Sequence, residues 1–329
     1  MPDAPASCVL NKTYSLPERQ VLRHDEARLV GLFRSQMRLN LDGAPNAYHP
    51  DGRGCVGSGQ QCPRDRGLLH ICNGVIVRDA GNAVVPPSEC IWPDGRTLAL
   101  ASSERCPQGA TPSSERCLET FRAAREAGFP RCGMGFACVE RWLGILAPNG
   151  SPLIQSDVHP RPGFYVSMTA LSRNDPASPG GRGFVDATRV PYITIPRGSI
   201  LADDWGLQRA MGQGQAELAV VFWHGRAVFA VVADIGNRNE LGEGSGALLH
   251  RLHGREPSDW VRPPTIPVSD PAVTLVLPGH AHLLANTWPL TEAAVQAAGR
   301  EALRRTVERL GGWERVAACD PALPRENPN

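Results

Sequence analysis

Ten cysteines, eight of them packed between Cys55 and Cys138, constrain this chain of 329 residues more than any other feature. No two stand in C-x-x-C spacing, the pattern a structural zinc site asks for. An even, dense set without metal spacing reads as disulfides formed in an oxidising compartment. Buried free thiols are the plainer alternative. Spacing leaves the pairing open. The 34 glycines and 30 prolines add many turns, which favours a loop-rich β or α+β protein over a helical bundle.

Several classes of function drop out early. A net charge of +1 offers no basic surface for nucleic acid. No run of about 18 apolar residues is present, so no membrane span is expected. The stretch "MPDAPASCVLNKTYSLPERQ" lacks the basic start and apolar core of an ordinary signal peptide. Together with the cysteines, this points to a secreted or periplasmic protein whose leader is removed, or which leaves the cell without one.

Along the chain, Ser15-Leu-Pro-Glu18 reads as a capping box. Val21, Leu22, Leu29, Val30, Leu32 and Phe33 follow at helical spacing. The spacing predicts one amphipathic helix to about Leu39. Loops and short strands are expected from Asn40 to Pro112, then helices over 114–127 and 136–146. From Gly163 the pattern turns to strands: "GFYVSMTAL", "FVDATRVPYITIP", "AELAVVFWHG", "RAVFAVVADIG" and "AVTLVLPG". His224-Gly225 marks a hairpin tip. Thr291 caps a long helix that Gly311-Gly312 stops. The expected organisation is a helical, cysteine-rich elaboration over 1–150 and an antiparallel β core with a C-terminal helix over 151–329, packed as one unit.

One segment asks for more than turn chemistry. "ADIGNRNELGEGS" runs an apolar strand into Asp234, turns through glycine and asparagine, and sets Glu243 between Gly242 and Gly244. Strand 227–233 lacks alternation and so reads as buried on both faces, a rigid platform for Asp234. Two carboxylates returned to one rim are the equipment of glycoside hydrolysis. Ordinary turn composition is the competing account.

The order of these strand motifs, with D-I-G-x-x-x-x-L-G-E-G-S the most telling, resembles the family 75 glycoside hydrolases, the fungal-type chitosanases and their bacterial relatives, over about residues 157–319. The resemblance implies a β-barrel core decorated with helices, with the double-psi barrel as a candidate form. It implies no cofactor and an inverting reaction. Position by position it places the catalytic pair on Asp234 and Glu243; we assign Glu243 as the general acid and Asp234 as the base that activates water, with the reverse assignment open. Tyr165, Ser167 and Thr169, alternating along one strand, are candidate sugar contacts, as are Asp186 and Tyr192. Trp205, Trp223 and Trp288 could stack on sugars, although a core role suits each. His280 and His282 lack a third ligand, so no metal site is assigned. Ser245 has no downstream acid–histidine pattern to make it a nucleophile.

The chain departs from the family in its cysteine-rich first half. Arginines and acids are nearly balanced between Arg161 and Gly254, whereas a polycationic substrate calls for an acidic cleft. Glycan strands of peptidoglycan would suit a neutral site. A secretion-system or immunity partner would accompany an antibacterial effector of that kind. The rival readings are a lytic transglycosylase, a cell-wall glycan-binding module without turnover, and a disulfide-rich structural protein.

Overall fold

A computed structural model describes residues 7–10, 12–16, 19–23, 30–55, 57, 59–100, 106–199, 201–203, 205–236 and 241–328. Four strands come from the N-terminal segment: β1 (Lys12–Leu16), β2 (Arg19–Arg23), β3 (Gly31–Ser35) and β4 (Arg38–Asn40). Five more come from the second half: β5 (Tyr192–Pro196), β6 (Glu217–Trp223), β7 (Arg226–Gly236), β8 (Glu243–Ser245) and β9 (Ala272–Leu277). They form one nine-stranded sheet in the order β1-β2-β3-β9-β6-β7-β5-β8-β4. The fold is α+β, and the sheet curls into a half-barrel.

The expected N-terminal helix is a set of strands. Residues 17–18 and 24–29 lie outside the described residues. Over the rest, tertiary pairing overrides local spacing. Val30, Leu32 and Phe33 are all buried, because β3 is laid between β2 and β9. Gly31 lets the backbone approach Trp205: a Cβ there would lie 2.6 Å from the indole ring. The expected helix over 136–146 is also a strand, Cys138–Trp142, paired with Val75–Arg78. The loop before it is closed by the Cys132–Cys138 disulfide. It turns through Gly133 and Gly135 at φ 86° and 79°, which no right-handed helix admits.

The sheet is mixed rather than antiparallel. β5 runs parallel to β7, and β8 parallel to β4. The chain leaves β5, crosses by the short helix α2 (Leu207–Gly212; α1 is Glu115–Glu126) and enters β6 on the far side of β7. The β6–β7 hairpin then returns the chain beside β5, so that β7 runs parallel to it. "GFYVSMTAL" forms no named strand among the described residues and joins its neighbours by single bridges, such as Tyr165 to Tyr48.

Other local signals hold. His224 and Gly225 take φ 47° and 73° at the tip of the β6–β7 hairpin, the left-handed pair a two-residue turn asks for. Helix α1 runs where a helix was expected and stops before Gly128. Two further helices, α3 (Gly246–Leu252) and α4 (Glu292–Leu310), lie against β7. Thr291 caps α4 by accepting the Ala294 N–H, and Gly311 ends it at φ 82°. The last helix is α5 (Trp313–Ala317).

All ten cysteines pair: Cys8–Cys319, Cys55–Cys62, Cys72–Cys117, Cys90–Cys106 and Cys132–Cys138. Among the described residues no helix is long and apolar enough to cross a membrane.

Candidate active site

Thr194 on β5 is the pivot of the site. It stands in register with Asp234 on β7 and with Glu243 on β8. Glu243 in turn stands beside Arg38 on β4. Residues paired across a sheet share a face, so Asp234, Thr194, Glu243 and Arg38 make one row. Two strand spacings separate the Cα atoms of the two acids, about 9.5 Å.

A bulge creates this row. Ile193 pairs with Val232 but Thr194 pairs with Asp234, leaving Ala233 as an extra residue in β7. In an unbroken register Asp234 would stand beside Ile195 and point to the opposite face. The bulge turns the carboxylate to the side of Glu243.

Of the two acids Asp234 sits deeper, at 8% exposure. Its Oδ1 accepts the Ala170 N–H at 3.0 Å, and its Oδ2 accepts the Asn40 amide at 3.1 Å. Burial pushes its pKa up to about 6, against the N–H groups of Ala170 and Ile235 and the Asn40 amide, which hold it down. Glu243 lies nearer the surface. Its Oε1 is 3.3 Å from Nη2 of Arg38, and the two side chains are 19% and 27% exposed. The row is therefore part-exposed at the Glu243–Arg38 end and buried at Asp234.

The strand β4 supplies residues that sequence reading missed. In "RLNLD", Arg38, Asn40 and Asp42 alternate toward the site, while Leu39 and Leu41 pack into the core. That period of two was a usable signal, hidden by the helical spacing upstream. Asp42 is the third carboxyl of the group. Burial, then the charges of Asp234 and Glu243, raise its pKa well above the usual range. Its Oδ1 accepts from Tyr48 at 3.4 Å, and the Ser167 hydroxyl also reaches it. Three like-charged groups this close cannot all ionise, and Asp42 is the one driven to keep its proton. Burial likewise raises Tyr48 and Tyr192 well above the usual phenol range.

Of the residues singled out in the sequence, Asp234, Glu243, Tyr192 and Ser167 come together. Tyr192 reaches Oδ1 of Asn40 at 2.7 Å. Ser167 accepts the Gly43 N–H at 3.1 Å. Three do not join them. Tyr165 is fully buried, packed edge-on against Phe121 and Trp142, and offers no surface to a sugar. Thr169 donates to the Leu171 carbonyl and accepts the Val185 N–H, so its hydroxyl is spent within the core. Asp186 belongs to a separate cluster with Thr188, Arg189 and Asp259.

Ser245 caps α3 and also accepts the Tyr192 N–H, a structural role. His280 bonds Thr306, and His282 meets Arg305. No three metal-ligating side chains cluster among the described residues. Trp205, Trp223 and Trp288 pack against Gly31, His224 and Arg173 respectively, away from the row. A cleft of about 870 Å³ opens beside Arg173, Arg182 and Glu217, but none of Asp234, Glu243 and Asp42 lines it.

Gly242 closes the site from behind. It takes φ +94°, and a Cβ there would fall 1.8 Å from the Gln36 carbonyl oxygen. Its own carbonyl accepts the Arg38 N–H at 2.7 Å, holding β4 to β8. Gly242→Ala is expected to cost about 2 kcal/mol or more, read by urea unfolding. An unchanged midpoint would mean that β8 can shift without cost. Residues 237–240, at the centre of the quoted motif, lie outside the described residues.

Compared with protein-family models and with curated proteins, the chain matches none.

Proposed function

We propose that this protein is a glycoside hydrolase that cleaves a β-1,4-linked amino sugar polymer with inversion, using Asp234 and Glu243. The observation that carries this reading is the bulge-made row that sets the two carboxyls on one face across Thr194. Their spacing of two strands is compatible with an inverting pair, whose carboxyls stand about 6.5–9.5 Å apart to admit water. The likeness of the motif order to family 75 hydrolases points the same way, and the curled half-barrel suits the double-psi barrel considered for it.

In the proposed reaction the Asp234 carboxylate takes a proton from water as the water oxygen bonds to the anomeric carbon. The glycosidic C–O bond breaks, and Glu243 gives its proton to the leaving oxygen. Exchange with solvent resets both groups. Five disulfides fit work outside a reducing cytoplasm. An effector aimed at cell-wall glycan, with an export or immunity partner, is the biological setting we favour.

A second assignment of roles has its own support. Arg38, 3.3 Å from Glu243, favours the ionised form of Glu243, which would make Asp234 the acid. The pH profile separates the two. With Asp234 as base, kcat/KM on chitosan or peptidoglycan rises tenfold per pH unit up to about 6 and then levels. With Asp234 as acid, activity falls above about 6 instead. No turnover of either polymer by the oxidised protein overturns the hydrolase and favours the binding module.

A further inference from the structure

Asn40 makes four polar contacts, and their chemistry fixes which way its amide points. Its Oδ1 lies 2.8 Å from the backbone N–H of Asp42 and 2.7 Å from the Tyr192 hydroxyl. A backbone N–H can only donate, so the atom it meets must be the amide oxygen. The amide nitrogen is thereby turned to the other side. There it lies 3.1 Å from Oδ2 of Asp234 and 3.2 Å from Oγ1 of Thr194. With the Ala170 N–H on Oδ1, both oxygens of Asp234 face donors.

We propose that Asn40 is a positioning residue that fixes the Asp234 carboxylate as an acceptor, oriented and ionised, through an amide locked by Tyr192 and the Asp42 backbone. Its part in activating water rests on the hydrolase reading; its hold on Asp234 does not. The groups around Asp234 are largely neutral: Asp42 is driven to keep its proton, and Tyr48 and Tyr192 are both held neutral by burial. Arg38, on the same strand as Asn40, lies against Glu243 instead. The Asn40 amide is thus the side-chain donor that reaches Asp234 among the described hydrogen bonds. A charged acceptor gains more from such a bond than a neutral one.

The test is a carbon NMR titration of the Asp234 carboxyl in the full-length oxidised protein, assigned by its loss in Asp234→Asn. Wild type is expected to titrate near 6. Asn40→Asp keeps the shape and the oxygen that Tyr192 and Asp42 need but removes the donor. It should raise the Asp234 midpoint by about one to two units. Asn40→Ala loses the donor without adding charge and should raise it by about one unit. Thermal melts of both variants run alongside. A lower melting temperature with an unmoved Asp234 midpoint overturns the proposal and leaves Asn40 a structural residue. If wild type cleaves neither polymer, the hydrolase reading fails while the titration still reports on Asn40. If wild type is active, the rising limb of kcat/KM must move with the midpoint in Asn40→Asp.

Discussion

Asp234→Asn and Glu243→Gln are each expected to lower turnover by about two to four orders of magnitude, the range removed with a general acid or base. Both changes keep the side-chain shape and remove the group that carries the proton. Neutralising Asp234, a carboxylate held at 8% exposure, relieves a desolvation cost, but the new amide nitrogen meets the Ala170 N–H or the Asn40 amide and loses one accepted hydrogen bond. The account predicts inactive variants that remain folded in thermal melts and still bind oligosaccharide in titration calorimetry. A variant that keeps more than about a tenth of wild-type turnover would remove that residue from the pair.

The second large effect concerns the cysteines. The Cys8–Cys319 bond spans 311 residues and Cys72–Cys117 spans 45, whereas Cys55–Cys62 and Cys132–Cys138 span 7 and 6. Constraint of the unfolded chain grows with the loop closed. Replacing Cys72 and Cys117 with serine is expected to cost about 4 kcal/mol, and replacing Cys132 and Cys138 about 2 kcal/mol. Cys72–Cys117 also fastens α1 beneath the short turn at Ile71–Asn73, a region whose sheets have no more than three strands. Loss of this bond should therefore be felt there first. Urea unfolding of the two double variants gives the comparison. Equal costs would mean that packing, not loop size, sets the contribution of each bond.

What could be read from the sequence follows from how local each signal is. The β6–β7 hairpin announces itself through His224-Gly225, and α4 through Thr291 and Gly311, because turns and caps are set by the residues that form them. β3 and β4 do not. Val30, Leu32 and Phe33 fit a helical face as well as a strand, and the choice is made by β9, far along the chain. The same reason hid half of the site. Asp234 and Glu243 stand out because glycines frame them. Arg38, Asn40 and Asp42 join them only through the pairing of β4 with β8, and the Ala233 bulge exists only in the register of β7 against β5. Cysteine number and spacing pointed to disulfides, but which thiols meet depends on the finished fold. Tyr165 alternates correctly with Ser167, yet it is an aromatic core that surrounds it.

The central claim is an inverting carboxyl pair, and the stereochemistry of the first product tests it most directly. Proton NMR of a defined chitosan or peptidoglycan oligosaccharide, recorded in the first minutes after adding the oxidised protein, shows which anomer appears at the new reducing end. The account predicts the α-anomer first from a β-linked substrate, with water added across the broken bond. A β-anomer formed first would contradict inversion, and a product lighter by one water would replace the hydrolase with a lytic transglycosylase.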